Sequence, residues 1–114
     1  MITIYHNSRC KKSRAGLEYL SDKALKFEIK EYLKNDPFTF ESLKTVLLIL
    51  GKTPLDMIRK QEDYYKKSIK GKEYTDDELI ELMVQNPQII HRPIVINGTK
   101  GAWGDPAENI SAII

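Results

Sequence analysis

This sequence contains almost no cysteine, and its positive and negative charges nearly balance. The single cysteine, Cys10, rules out an internal disulfide, and no Cys/His spacing typical of a zinc site is present. Because 18 basic residues stand against 16 acidic ones, the net charge is only +2, which argues against a dedicated nucleic-acid binder. The longest apolar run, residues 46–50, is too short to cross a bilayer, and no signal-peptide pattern is visible. A lone thiol suits a reducing compartment, so we expect a cytoplasmic protein.

Hydrophobic periodicity divides the chain into short strands and amphipathic helices. Hydrophobic residues make up 41% of the 114, which is enough for one domain with its own core. In the second predicted strand, Phe27 and Ile29 alternate with charged residues and should share its apolar face. The predicted strands cover residues 2–5, 26–32, 94–96 and 99–103, with a two-residue turn at Asn97-Gly98. The predicted helices cover residues 11–21, the stretch from the Thr39 cap to Gly51, short pieces in 54–70, the segment behind a Thr75 capping box, and a last helix with Asp105 as N-cap and Pro106 at its first position.

The order of these elements predicts an α/β protein with a thioredoxin-like fold. A β-α-β half and a β-β-α half flank a mainly helical insertion at about residues 33–90, and the strands should form one mixed four-stranded sheet. We expect residues 1–114 to form a single domain. In thioredoxin-like folds a proline in cis precedes the third strand and faces the redox cysteine, so we predict a cis Arg92-Pro93 bond.

The richest segment chemically is residues 6–14, which join the first strand to the first helix. Helix N-termini and nearby cations stabilise a thiolate, and Cys10 stands at such a junction. His6 lies on the strand side of the loop. The Ser13 hydroxyl, three positions after Cys10, can donate to a thiolate, and Arg14, four positions on, shares the helix face of the thiol. The alternative interpretation is a small, buried, unreactive cysteine.

The spacing around Cys10 separates two kinds of thiol chemistry. A tyrosine-phosphatase loop needs an arginine six residues after its cysteine, and here that position is Gly16. Cys10 and Ser13 instead form a Cys-x-x-Ser pattern without a second, resolving cysteine. Any adduct on Cys10 must therefore be released by an external thiol, with glutathione as the obvious candidate and glutaredoxin downstream.

Residues 4–14 and Leu17 resemble the glutaredoxin-dependent arsenate reductase family, and further motifs follow in family-like order along the whole chain. The resemblance implies that Cys10 is the nucleophile that attacks arsenate, with Arg59 and Arg92 binding the oxyanion. His6, Ser13 and Arg14 match positions that lower the thiol pKa or line the anion site. Without the resemblance, Arg59 would be interpreted as an exposed helix charge and Arg92 as a strand-edge residue.

One position departs from the family pattern and keeps other functions open. The reductases carry a third arginine immediately before the proline that opens the last helix, and here that residue is Asp105. A carboxylate facing the site would repel an oxyanion. The alternatives are a family member acting on another small electrophile, or an Spx-like regulator that binds RNA polymerase. We expect no metal and no tightly bound organic cofactor, no membrane partner and no direct contact with nucleic acid.

Overall fold

The computed structural model describes residues 1–114, with four strands and four α-helices. Three 3₁₀ helices complete the secondary structure, and the last of them lies where the sequence predicts an α-helix. The strands are β1 (Ile2–Tyr5), β2 (Phe27–Lys30), β3 (Ile94–Asn97) and β4 (Lys100–Trp103). The helices are α1 (Lys11–Asp22), α2 (Phe40–Leu50), α3 (Asp63–Ser68) and α4 (Asp76–Gln85), and the 3₁₀ helices are Leu55–Met57, Pro87–Ile89 and Ala107–Ile113.

The four strands form the predicted mixed sheet, in the order β2-β1-β3-β4. β1 pairs with β2 in parallel, whereas β3 is antiparallel to both β1 and β4. β2 is shorter than predicted and lies at the edge of the sheet, where it pairs with β1 alone. Phe27 packs against the core but Ile29 stays 45% exposed, so the predicted apolar face of this strand is only half covered.

The chain divides into two compact units. The first, which we call the thiol unit, comprises residues 1–36 and 92–114 and contains the whole sheet, and the second, the helical unit, comprises residues 37–91. The helical unit consists of α2, α3, α4 and two 3₁₀ helices. The assignment of residues 1–114 to a single domain with an insertion at about 33–90 stays a prediction.

The core of the thiol unit covers one face of the sheet. Ile2 and Ile4 alternate along β1, and Val95 of β3 pairs with Ile4, so all three point to the same side. Leu20 of α1 and Ile110 of the last 3₁₀ helix pack against them. The sheet and α1 are therefore fixed relative to each other, which sets where α1 begins.

A close approach between α1 and the start of β3 depends on glycine. A Cβ atom at Gly16 would lie 2.6 Å from Pro93 Cγ, and one at Gly104 would lie 3.0 Å from the same atom. The proline ring therefore occupies space that any larger residue at these two positions would need. This packing places Arg92, the residue before Pro93, next to α1.

Local signals define the helices of the helical unit as the sequence predicts. Thr39 and Thr75 each accept a hydrogen bond from the third helical residue in a capping box. Gly51 ends α2 in the left-handed conformation, with φ at +67°.

No helix in the chain is long and apolar enough to cross a membrane.

Two predictions near the C-terminus are wrong in detail. The hairpin turn is Gly98-Thr99 rather than Asn97-Gly98, because Asn97 still pairs with Lys100. Only Gly98 has a positive φ there, as expected when glycine is the first of two turn residues. Asp105 does not cap the last helix: that helix begins after Pro106, has 3₁₀ geometry and receives no side-chain cap.

Candidate active site

The loop between β1 and α1 is held by hydrogen bonds from its own residues. The His6 N–H donates to Lys30 O at 2.9 Å, which extends the β1–β2 pairing by one residue. The Cys10 N–H donates to Asn7 O at 3.0 Å, and the side-chain Oδ1 of Asn7 accepts the Arg9 N–H at 3.1 Å. These turns bring the chain round so that Cys10 becomes the N-cap residue of α1.

The Cys10 thiol has a lowered pKa for three reasons that together outweigh its burial. Partial burial raises the pKa, whereas the Ser13 N–H, the Arg92 guanidinium and the Lys12 N–H lower it. The two N–H groups belong to the first turn of α1, where free N–H groups and the helix dipole favour an anion. The sulfur belongs to a partly exposed residue, which leaves it open to a reactant.

Ser13 acts on Cys10 through its backbone, whereas the sequence suggested its hydroxyl. The buried Ser13 Oγ lies 2.7 Å from His6 Nδ1 and accepts the Asn7 N–H at 2.9 Å. This hydroxyl therefore ties the loop to the first turn of α1. His6 is only 4% exposed, and burial is the main cause that lowers its pKa, which favours the neutral imidazole.

Asn7 is the residue that sequence reasoning missed. Its N–H, its carbonyl and its side-chain oxygen each hold one of the loop hydrogen bonds described above. A signal was available, since asparagine commonly bonds the backbone N–H two residues on and starts a turn. Arg14 lies on the outside of this loop, where its Nη1 donates to Ser8 O at 3.1 Å, and its role beside the thiol stays a prediction.

The predicted cis Arg92-Pro93 bond is confirmed. A second cis bond, which the sequence analysis did not predict, joins Asp105 to Pro106. Arg92 supplies the only side-chain guanidinium that acts on the Cys10 thiol as a hydrogen-bond donor, and its charge also favours the thiolate. Arg92 is therefore placed with Cys10, Ser13 and His6 in one cluster of the thiol unit.

Asp105 forms an ion pair with a residue next to the thiol. Its Oδ2 lies 3.0 Å from Lys12 Nζ, and the Asp105 side chain is 25% exposed. The carboxylate therefore neutralises a cation of α1 instead of capping the last helix. Lys12 contributes to the thiolate through its N–H group, which this ion pair leaves in place.

Arg59 lies in the helical unit and is paired within it. Its N–H donates to Ile89 O at 2.7 Å, beside an antiparallel bridge between Ile58 and Ile90. Its Nη1 lies 3.3 Å from Glu62 Oε2, and the Arg59 side chain is 20% exposed. The assignment of Arg59 to substrate binding stays a prediction.

No group of three or more His, Cys, Asp or Glu side chains is arranged to hold a metal ion. The cluster around Cys10 brings a partly exposed thiol with a lowered pKa next to the Arg92 guanidinium. Such a thiolate is a nucleophile, and an arginine fork beside it matches the oxygens of a tetrahedral anion.

Comparison with known proteins gives a consistent result over the full chain. The model of the ArsC family matches residues 5–113. The chain belongs to the ArsC family. An arsenate reductase of Neisseria meningitidis is 36% identical over 99% of this chain and 97% of its own, and the uncharacterized protein YfgD of Escherichia coli K12 is 35% identical over 99% and 96%.

Solved structures agree with this assignment. The arsenate reductase from Vibrio cholerae superposes with a TM-score of 0.92 at 33% identity, covering 99% of this chain and 97% of its own. The chain thus has the predicted thioredoxin-like fold, built on a mixed four-stranded sheet. In this chain, Asp105 occupies the position at which the family resemblance predicts a third arginine, and it pairs with Lys12.

Proposed function

We propose that this protein is an oxidoreductase that reduces a tetrahedral oxyanion, with arsenate as the substrate. The observation that carries the proposal is the lowered pKa of the partly exposed Cys10 thiol, next to Arg92. Family membership and the names of the relatives support arsenate in particular. Cys10 is the nucleophile and Arg92 binds the oxyanion. On the family resemblance we assign Arg59 to the same task.

In the first step the Cys10 thiolate attacks arsenic. A sulfur–arsenic bond forms, and one arsenate oxygen leaves as water after taking up protons. The guanidinium of Arg92 neutralises charge on the remaining oxygens, which is the task that arginine performs well because of its fork of donors. His6, Ser13 and Arg14 maintain the loop and the first turn of α1, from which the N–H groups that favour the thiolate point.

The second step needs a thiol from outside the chain, because Cys10 is the only cysteine. An external thiol forms a disulfide with Cys10 as the sulfur–arsenic bond breaks, and arsenic accepts two electrons and leaves as arsenite. A second thiol then attacks the mixed disulfide and releases the Cys10 thiolate. In sum, two thiols become one disulfide, and arsenate becomes arsenite and water. We propose glutathione as the co-substrate and glutaredoxin as the partner protein, in the cytoplasm.

The test is a coupled assay of NADPH oxidation with arsenate, glutathione, glutathione reductase and glutaredoxin. We expect turnover by the wild-type protein and none by Cys10→Ser. Replacing the guanidinium fork by a point charge in Arg92→Lys should raise KM for arsenate by about tenfold, since a charge-assisted bidentate contact contributes roughly 1.5–3 kcal/mol. Arg59→Ala should raise KM for arsenate as well. Lys26 is an exposed cation before β2, so Lys26→Ala should leave both kcat and KM unchanged.

A folded wild-type protein that does not turn over arsenate would overturn the choice of substrate. Retained turnover in Cys10→Ser would overturn the mechanism. Asp105 favours a specific second candidate, a small electrophile other than arsenate, because it adds a carboxylate 3.0 Å from Lys12 beside the thiol. Gain of arsenate turnover in Asp105→Arg would support that candidate, and co-purification with RNA polymerase would support the regulatory alternative.

A further inference from the structure

Two cations next to the thiol have no carboxylate partner. Residues 9–14 contain four basic side chains, and two of these are engaged: Lys12 pairs with Asp105, and Arg14 donates to Ser8 O. The other two, Arg9 and Lys11, are exposed and flank Cys10 on either side in the sequence. No carboxylate lies within 4.0 Å of either of them.

The charges of Arg9 and Lys11 are not explained by the fold or by the thiolate. The hydrogen bonds of the loop use the Arg9 backbone and not its side chain. The causes that lower the Cys10 pKa include Arg92 and the N–H groups of Ser13 and Lys12, but neither Arg9 nor Lys11. Both charges are therefore available to a charged molecule that approaches Cys10 from the solvent.

Arg9 and Lys11 leave the backbone on either side of Cys10. Neighbouring Cα atoms are about 3.8 Å apart, so the attachment points of both side chains lie well inside the Debye length of about 10 Å at 0.1 M salt. A small oxyanion can reach the Arg92 guanidinium at the sulfur itself. A thiol that attacks an adduct on Cys10 keeps the rest of its body further out, at the level of exposed side chains.

We infer that Arg9 and Lys11 select a small thiol that carries carboxylates as the reductant of Cys10. The inference rests on the proposed function only in that a single cysteine needs an external thiol. Opposite charges speed the encounter of two molecules, and like charges slow it. Such steering changes the association rate more than the affinity. A carboxylate-bearing thiol is favoured at this surface over a neutral one, and a cationic thiol is disfavoured.

The selection is measurable without arsenate, on a disulfide between Cys10 and pyridine-2-thiol. The attacking thiolate forms a disulfide with Cys10 sulfur, the original disulfide bond breaks, and pyridine-2-thiolate leaves and takes up a proton to become the absorbing thiopyridone. The probes are glutathione and mercaptopropionate as carboxylate-bearing thiols, mercaptoethanol as a neutral one and cysteamine as a cationic one. Rates are expressed per thiolate, and each thiol is compared with itself between proteins, so that differences in thiol pKa and nucleophilicity cancel.

The decisive variant removes both charges, as Arg9→Ala with Lys11→Ala. We expect it to slow glutathione and mercaptopropionate by about fivefold, leave mercaptoethanol within about twofold and speed cysteamine. The matched control, Lys26→Ala with Lys100→Ala, also removes two exposed cations. Lys26 precedes Phe27, which pairs with Ile2, and Lys100 pairs with Asn97, so both lie at the end of the sheet away from Cys10.

Salt provides a second measurement that needs no variant. In the wild-type protein, the advantage of glutathione over mercaptoethanol should shrink as ionic strength rises, because the Debye length falls from about 30 Å at 0.01 M to about 8 Å at 0.15 M. Equal slowing of all four thiols in the Arg9/Lys11 variant, the same effect in the control, or no salt dependence would each overturn the inference. A protein inactive towards arsenate would still report these rates, so the two proposals fail separately.

Discussion

The two units of this chain reach their structures by different means. In the helical unit, α2 and α4 begin at threonine capping boxes, and α2 ends at a left-handed glycine, so each boundary depends on residues a few positions apart. In the thiol unit, the decisive contacts join residues far apart in the sequence. Gly16 accommodates Pro93, and Lys12 pairs with Asp105.

This difference explains where the chemistry lies. Local signals fix the helices but do not bring a cation to a thiol. The cluster around Cys10 needs α1 and β3 to approach closely, and that approach depends on a glycine 1.7 turns further along α1 than the thiol. We therefore expect substitutions at distant contacts to change both stability and the Cys10 pKa, and substitutions at helix caps to change stability alone.

The largest effect is expected for Gly16→Ala. Alanine favours a helix by roughly 0.5–1 kcal/mol over glycine. The new Cβ, however, would lie 2.6 Å from Pro93 Cγ, and overpacking of this kind costs about 1–3 kcal/mol. A 2.6 Å contact with a proline ring lies at the upper end of that cost, about 3 kcal/mol, so subtracting a helix gain of about 1 kcal/mol leaves a net loss of about 2 kcal/mol in the free energy of unfolding, measured by denaturant titration. The Cys10 pKa should rise because Arg92 is displaced with Pro93.

The control for Gly16→Ala is Ala15→Gly, at the exposed neighbouring position of the same helix. It reverses the chemical change without involving Pro93, so it should cost about 1 kcal/mol from helix propensity and leave the Cys10 pKa unchanged. If Gly16→Ala proves as stable as the wild-type protein, the close approach does not constrain the thiol unit.

Ser13→Ala should separate the two roles of Ser13. Loss of the hydroxyl leaves His6 Nδ1 and the Asn7 N–H without their common partner, which should cost about 1.5 kcal/mol in stability. The Ser13 N–H remains, so the Cys10 pKa should move less than in an Arg92→Ala variant. The matched control is Ser21→Ala, an exposed serine in α1, which should change neither quantity. A larger shift of the Cys10 pKa than that in Arg92→Ala would show that the Ser13 hydroxyl stabilises the thiolate directly.

Thr75→Ala tests the helical unit. The capping box of α4 loses its hydroxyl acceptor for the Glu78 N–H at 3.1 Å, which should cost about 1 kcal/mol. Thr75→Ser keeps the acceptor and should cost little. Alkylation of Cys10 should follow the same pH profile in all three proteins. A shifted profile in Thr75→Ala would show that the cap and the thiol site are coupled.

Asp105→Asn should have the smallest effect on stability. The Lys12–Asp105 pair is exposed on the lysine side, at 62%, and such ion pairs contribute about 0.2–1 kcal/mol. The loss should be larger at low salt. Asp36→Asn, an exposed aspartate of the same unit without an ion pair, serves as the control. Equal losses in the two variants would show that the pair contributes nothing measurable.

The same contrast marks how far the sequence predicts the structure. Hydrophobic period and helix caps predict the strands and helices of both units to within a few residues, although the last helix has 3₁₀ rather than α geometry. The mixed four-stranded sheet and the cis Arg92-Pro93 bond follow from the fold expectation. The Gly98-Thr99 turn is one residue from the prediction because pairing continues through Asn97.

Side-chain partners at the site were harder to predict, because each side chain has several partners within reach. The Ser13 hydroxyl could bond a thiolate or an imidazole, and only the buried position of His6 decides for the imidazole. Asp105 could cap a helix or pair with a cation. Because the 3₁₀ helix begins after Pro106, Asp105 does not cap it and forms an ion pair with Lys12. These outcomes depend on tertiary distances that no local pattern contains.

The central claim is that the thiol unit holds Cys10 as a thiolate through Arg92 and the start of α1. The most direct measurement is the rate of Cys10 alkylation by iodoacetamide against pH, which reports one thiol because the chain has no other. Only the thiolate reacts, so the rate falls as pH drops through the pKa. We predict a midpoint below the ordinary value of 9.0 in the wild-type protein and a higher midpoint in Arg92→Ala. A wild-type midpoint at or above 9.0, unchanged in Arg92→Ala, would contradict the account.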